Sequence, residues 1–306
     1  MSKHMISFIL ILIASLFFTG IVIRTKSFFS GRKGPGVLQP LKDILRLFKK
    51  GVVYSETSSF IFRIAPSIYF ASVLSAIMLI PLGRFPGILS FNGDFVFFAY
   101  VLALGKFFMI ISAMDTGSSF EGMGASREAL FSLLAEPAFF ILMGSFALFS
   151  GHTSFHGIFQ ALHFESSISF ALGTLATFVF VIIAMIENSR MPVDDPKTHL
   201  ELTMVHEVMV LDNSGFDLGL ILHTTNLKFA MYGALIANIF ITSGMQLYYS
   251  IPLFMGVQVL FAIAAGTIES FMARFRMNHN SQFIFSLTSI SILIFLGVLL
   301  MLGRMT

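Results

Sequence analysis

The sequence predicts an all-α integral membrane protein of about eight transmembrane helices, with two long cytoplasmic loops and almost no soluble body. Three observations predict it. Of 306 residues, 56% are hydrophobic and 11% charged, against about 25% charged in a soluble domain. Eight apolar runs approach the roughly 20 residues that a helix needs to cross a hydrocarbon core about 30 Å thick. Lys and Arg crowd onto alternate connections between those runs.

The runs are 5–23, 64–84, 95–114, 129–150, 167–187, 229–249, 251–272 and 282–303. Backbone groups in lipid must bond within their own segment, so runs of this length are helices. The first, Met5–Ile23, is too long for the apolar part of a cleaved leader, and the basic stretch follows it, so it reads as a span. The sixth and seventh are separated only by Gln246–Ser250 and Pro252. No internal repeat divides the chain, which reads as a single membrane domain over 1–306.

The basic residues give the orientation. Connection 24–63 carries Arg24, Lys26, Arg32, Lys33, Lys42, Arg46, Lys49, Lys50 and Arg63. Arg127, Arg190, Lys197, Lys228, Arg274 and Arg276 fall on the same side, leaving Lys3, Arg84 and Arg304 opposite and Lys106 inside a span. That bias predicts an N-terminus outside and the crowded loops in the cytoplasm. The net charge of +3 is therefore topology, with no sign of nucleic-acid binding. Without cysteine, the chain has no disulfide, no thiolate iron–sulfur ligation and no cysteine zinc site of its own. The outer connection 151–166 carries His152, His156 and His163 with Glu165; their irregular spacing suits surface residues better than a metal site.

Loop 24–63 opens with the turn-rich Gly31-Arg32-Lys33-Gly34-Pro35-Gly36. An amphipathic helix then runs from Leu38 to Lys50, with Leu41, Ile44, Leu45 and Phe48 on one face and Lys42, Arg46, Lys49 and Lys50 toward the other. Two readings fit: a basic helix lying on anionic lipid, or a docking surface for a soluble partner. Loop 188–228 contains Met191-Pro192-Val193-Asp194-Asp195-Pro196, in which Asp195 can cap a helix that starts at Pro196 and runs to about Leu211. His199, Thr203, His206 and Glu207 share one stripe of that helix and Glu201 points away. The stripe is either a solvated loop or a proton-handling surface.

Ionisable groups within apolar spans cost at least ~2.5–3.5 kcal/mol at mid-membrane, so Lys106, Glu136, Glu187 and Glu269 are candidate functional residues. Asp115, Glu121 and Glu128 fall in the short connection between spans three and four. Pro137 loosens the helix beside Glu136. The alternative roles are structural: Lys106 pairing with Glu136 for packing, and Glu269 pairing with Arg274. No nucleophile triad, phosphate loop, dinucleotide fingerprint or HExxH motif occurs, so any chemistry is proton movement or support of a partner's chemistry.

Gly34-Pro35-Gly36-Val37-Leu38-Gln39-Pro40 with Asp43 resembles the subunit 1 family of proton-translocating NADH dehydrogenases, the membrane subunit that holds the soluble arm of complex I. The resemblance recurs, in order, at Gly124–Glu128, at Glu136 and at Glu187–Asp194. Pro192–Pro196, Thr198–Glu207 and Ala273–Asn278 after Glu269 are similar to its hydrogenase branch, the membrane subunits of formate hydrogenlyase and hydrogenase-4 type complexes. Lys197-Thr198-His199 stand where the quinone-reducing branch has a second acidic pair, and the first basic loop is shorter than in that branch. The resemblance implies a subunit with no redox centre of its own. Its partners would be a hydrogenase-like large subunit, an iron–sulfur small subunit and antiporter-like membrane subunits, with Fe–S clusters and a nickel–iron centre in the partners. It implies a proton path through Glu136, Glu187, Asp194, Glu201 and Glu207, to which Lys106 and Glu269 are added from their place in the spans. It also implies an interface at Arg32, Lys33, Gln39, Asp43, Arg190, His199 and His206, with loops 24–63 and 188–228 as the platform. The alternatives are a quinone-binding subunit of a respiratory NADH dehydrogenase and, more remotely, an independent proton or cation transporter.

Overall fold

The structure is a computed structural model that describes residues 4–162, 167–194, 205–242 and 244–305. The described residues form helices and no strand beyond an isolated bridge between Leu82 and Phe85. In chain order these are α1 (Met5–Phe29), α2 (Gln39–Leu47), α3 (Phe60–Ile77), α4 (Asp94–Asp115), α5 (Ser119–Ser150), α6 (Phe155–Ala161), α7 (Ser167–Glu187), α8 (His206–Met209), α9 (Gly215–Phe240), α10 (Leu247–Phe271) and α11 (Met277–Met305). Seven of them, α1, α3, α4, α5, α7, α10 and α11, are long and apolar enough to cross a membrane, and the chain is a multi-pass membrane protein.

The remaining long helix, α9, is the centre of the bundle. It packs against α1, α2, α3, α7 and α10, and every residue from Asn226 to Ile239 is buried. Its neighbours are protein rather than lipid, which is why it tolerates Asp217, His223, Asn226, Lys228 and Asn238. Around it α1 pairs with α10, α3 with α4, and α11 with α5 and α7. Apolar side chains gain little from leaving lipid for one another, so close packing and hydrogen bonds hold such helices. Phe18, Phe229 and Phe261 meet where α1, α9 and α10 converge, with ring centroids 4.9 to 5.9 Å apart. At Gly105, α4 lies so close to α3 that a Cβ there would come within 2.0 Å of the Ser72 hydroxyl.

Several boundaries differ from the sequence expectation. The expected span 229–249 is a helix fourteen residues further toward the N-terminus at its start, so loop 188–228 ends at Ser214. Gly215, at φ +52°, lets that helix begin directly against the Gly51 carbonyl, where a Cβ would clash. The third helix stops at Ile77, because Asn238 of α9 donates to the Pro81 carbonyl and accepts from the Gly83 amide, holding 78–83 as a turn. The break before α10 lies at 241–246, and Pro252 sits inside the helix. The connection between α4 and α5 is only Thr116–Ser118, so Glu121 and Glu128 are buried helical residues rather than loop residues.

The amphipathic helix of the first loop is α2. It buries Ile44 and half-buries Leu41, while Leu45 turns outward at 50% exposure. The following loop is fastened to α9 by Tyr54, whose hydroxyl donates to Asp217 at 2.8 Å, and by Ser214, which accepts from the Val53 amide at 3.0 Å. The expected helix 196–211 is represented by its end, α8; Asp195, His199, Glu201 and Thr203 lie outside the described residues, as do His163 and Glu165. Between α5 and α7, Asp94 accepts from the Phe155 amide at 2.6 Å and docks α6 on α4. Among the described residues no group of three or more His, Asp or Glu is arranged to hold a metal.

Candidate proton-handling site

Glu187 is the last residue of α7 and its carboxylate is held by two lysines. Lys106 of α4 reaches both oxygens at 2.9 Å, and Lys228 of α9 reaches one at 2.8 Å. The Lys228 ammonium also donates to the Glu187 main-chain carbonyl at 2.7 Å, a cation placed on a helix C-terminus. Lys106 further donates to the Ser132 hydroxyl at 2.6 Å and stands 3.4 Å from Glu128. The cluster therefore sets two cations against two anions, all of them at most 11% exposed. Removing one member of so buried a set leaves an uncompensated charge.

The chain beyond Glu187 is shaped to leave that carboxylate inward. Ser189 adopts φ +50°, and the Arg190 amide closes back on the Met185 carbonyl at 2.8 Å. Arg190 is 8% exposed, turned inward to Glu269 at 3.3 Å and over the Phe229 ring. Glu269 also pairs with Lys26 of α1 at 2.9 Å. Arg274, the expected partner of Glu269, instead binds Asp194 at 2.9 Å. Asp194 accepts from the Val205 and His206 amides at 3.3 and 3.1 Å, and so fixes the start of α8. These pairs clamp 188–194 onto the ends of α1 and α10.

Four cavities lie in succession around the cluster, each sharing wall residues with the next. The largest, about 480 Å³, lies among α1, α2, α9 and the clamped loop, with Gln39, Asp43, Arg190, His206 and Glu207 in its wall. It shares Asn188, His206 and Thr225 with a cavity of about 10 Å³ that Tyr69, Glu128 and Lys228 also line. That one shares Lys106 and Glu187 with a third, about 30 Å³, which Glu136 and Tyr232 border. Ala103, Lys106 and Glu136 form the boundary with the fourth, a groove of about 430 Å³ between α4 and α5 on the outer face of the bundle. The two small cavities are of the size that holds one or two waters.

The sequence-derived candidates thus separate. Lys106 and Glu187 meet; Glu136 shares the 30 Å³ cavity with both, exposed and outside any ion pair among the described residues. Asp194 and Glu269 belong to the clamp, and Glu207 and His206 to the large cavity. Arg32 and Lys33 are exposed on the first loop, while Gln39 donates to Asp43 at 2.9 Å at the cavity mouth. Burial pushes the His206 imidazole below the usual histidine pKa; Glu128 opposes this, and Lys228, Lys106 and Arg190 add to it. Glu128, Ser132 and Lys228 were not singled out as site residues. The signal that finds the first two is their four-residue spacing with Glu136, which puts all three on one stripe of a helix.

Residues 2–300 match the NADH dehydrogenase family. The chain belongs to that family. Hydrogenase-4 component C of Escherichia coli (strain K12) is 31% identical over 238 residues, 77% of this chain and 74% of that protein. Formate hydrogenlyase subunit 4 of the same organism is 28% identical over 268 residues, 85% and 86% of the two chains. An NADH-quinone oxidoreductase subunit of Koribacter versatilis (strain Ellin345) is 29% identical over 184 residues, 56% of this chain and 43% of that one. Among solved structures, a chain of the membrane-bound sulfane sulfur reductase, an archaeal respiratory membrane complex, superposes with a TM-score of 0.80 at 21% identity, covering 95% of this chain and 98% of its own. That likeness shows the fold. The protein is a complex I-like membrane subunit of the NADH dehydrogenase family.

Proposed function

We propose that this chain is the membrane anchor and proton-coupling subunit of a nickel–iron hydrogenase complex of the formate hydrogenlyase or hydrogenase-4 type. The observation that carries this reading is the run of cavities through the Lys106–Glu187–Lys228–Glu128 cluster, from the loop-facing chamber to Glu136. A proton taken up on Glu187 would weaken its hold on both lysines, so a change at the chamber is felt at the outer groove. The hydrogenase relatives, 31% and 28% identical over 238 and 268 residues, support the choice of branch.

The docking platform would be the exposed surface of loop 24–63 with the start of α9. It sets Leu38, Leu45, Val53 and Phe216 among Arg32, Lys33, Lys42, Arg46 and Lys49, an apolar patch rimmed by cations. A hydrogenase-like large subunit and an iron–sulfur small subunit would carry the Fe–S and nickel–iron centres there, and antiporter-like subunits would meet the chain within the inner membrane. The N-terminus would be outside.

Glu136→Gln and Glu187→Gln in the assembled complex, reconstituted in vesicles, test the coupling. The expected result is fewer protons moved per electron transferred. Full coupling in variants that assemble normally would refute it. Nickel and iron co-purifying with the tagged chain test the partners. The 480 Å³ chamber favours one second reading, a lipid-soluble quinone as substrate; a photoreactive quinone that labels its wall, in a preparation without nickel, would support that reading instead.

A further inference from the structure

Glu128, Ser132 and Glu136 lie four residues apart on α5, so they form three rungs of one stripe, each about 6 Å along the helix from the next. The Lys106 ammonium stands at the middle rung, 2.6 Å from Ser132. On one side it is held by Glu128 and Glu187. On the other side is Glu136, exposed and without an ion pair among the described residues. Lys106 is the one side chain common to the 10, 30 and 430 Å³ cavities.

We propose that Lys106 is a mobile gate, its ammonium resting on Glu187 and Glu128 in one state and on Glu136 in the other. The inference rests on the proton-coupling reading of the same site. Three observations carry it. The backbone of α4 is fixed, because Gly105 closes on Ser72 of α3, so movement belongs to the side chain. A lysine reaches a rung either way, being a point charge on a flexible four-carbon stem. Lys228 is tied to both the carboxylate and the main-chain carbonyl of Glu187, so Glu187 keeps a cation when Lys106 leaves.

The driving force is charge balance. With Glu187 and Glu128 ionised, two cations face two anions. One proton arriving from the large chamber onto either carboxylate leaves two cations against one anion. The free ammonium then moves toward Glu136, the next carboxyl group on the stripe. Its arrival favours loss of a proton from Glu136 toward the outer groove; the inner proton then passes to the vacated Glu136 carboxylate and Lys106 returns, so that one proton has entered from the chamber and one has left by the groove. Each state is stabilised by a different carboxylate, so the population of the two follows the inner protonation. Lys106 is thus a positioning residue for proton transfer.

The test is the rate at which a lipid-soluble carbodiimide modifies Glu136, read by peptide mass spectrometry on the full chain in mild detergent at one fixed pH. Carbodiimides react with the protonated carboxyl. Glu128→Gln releases Lys106 outward and is expected to slow labelling several-fold below wild type. Lys106→Gln with Glu128→Gln removes the visiting cation, keeps the inner charge balanced, and is expected to raise labelling several-fold above wild type. A fixed Lys106 acts through its charge alone, so Glu128→Gln would then slow labelling by the same factor on the Lys106→Gln background. The gate requires that slowing to vanish there, and a slowing that persists in the double variant relative to Lys106→Gln alone overturns it. Equal labelling in all four chains, zero included, overturns the gate. Protons moved per electron are then measured in the assembled complex carrying the double substitution. A fall supports the gate. Unchanged coupling with the expected labelling overturns the proton-coupling reading while the ion-pair exchange stands.

Discussion

Replacing Lys228 by Met tests whether the buried cluster is held by charge balance. The ammonium is 2.8 Å from Glu187 with side chains 3% and 10% exposed. At an effective dielectric of about 20 the attraction across that distance is about 6 kcal/mol. Part is offset, since the folded chain no longer desolvates an ammonium, and breaking a buried pair leaves a net loss of ~3–5 kcal/mol. The cluster would carry one cation against two anions. Adding Glu128→Gln restores neutrality while leaving the Lys106–Glu187 pair in place, and is expected to recover about half of the loss. The Glu187 carbonyl stays without its donor, a cost of ~1–3 kcal/mol that the second change does not touch. Unfolding of the purified chain by SDS in mixed micelles measures both. A loss under ~1 kcal/mol for the single variant, or a double variant no more stable than the single one, would refute the charge-balance argument.

Asp194→Ala removes the acceptor for the Val205 and His206 amides and the partner of Arg274; at ~1–3 kcal/mol per orphaned buried group, limited proteolysis should cut 188–206 faster, with Asp194→Asn intermediate. His206 is held neutral by burial, so below its ordinary pKa of about 6.5 the unfolded chain binds a proton that the folded chain resists. Stability should therefore fall as pH drops from about 6.5, and His206→Gln should flatten that slope between SDS unfolding curves taken above and below it. Asn238→Leu makes α9 more apolar yet should cost ~1–3 kcal/mol in the same assay, because the Gly83 amide and Pro81 carbonyl lose their partner. A stability gain would mean that α9 faces lipid.

The helices were legible wherever lipid is the neighbour. The apolar stretches behind α1, α4, α7, α10 and α11 are read directly from hydropathy, since a lipid-facing helix must be apolar along its length. Hydropathy failed at α9, where the expected span began at Phe229. Asp217, His223 and Asn226 look like loop residues to any scale that assumes lipid, yet each sits on a helix enclosed by others, with Asp217 bonded to Tyr54 and Asn226 to Thr19. Turn 78–83 was hidden for the same reason: its bonding partner, Asn238, is distant in sequence, and only folding brings it near.

The acids of the site were legible because a carboxylate in an apolar run is costly enough to be conspicuous. Their cations were not. Lys228 lies at the edge of an apolar run, where a lysine is ordinarily read as a loop charge that sets topology, and Glu128 lies beside Arg127 in a stretch polar enough to pass for a connection. Assigning both to solvent left Lys106 with Glu136 as its nearest apparent partner. Charge accounting points the other way. Lys106 and Glu187 already balance, so a second buried carboxylate such as Glu128 is tolerated only if a second cation is buried with it. Lys228, four residues before Tyr232 on the most enclosed helix, is the residue placed to supply that charge, at 2% exposure and 2.8 Å from Glu187. A path built only of carboxylates would have to hold them protonated in so small a volume. Pairing them with lysines balances the site, so that on the proposed proton-coupling function a single arriving proton would change its net charge from zero to one.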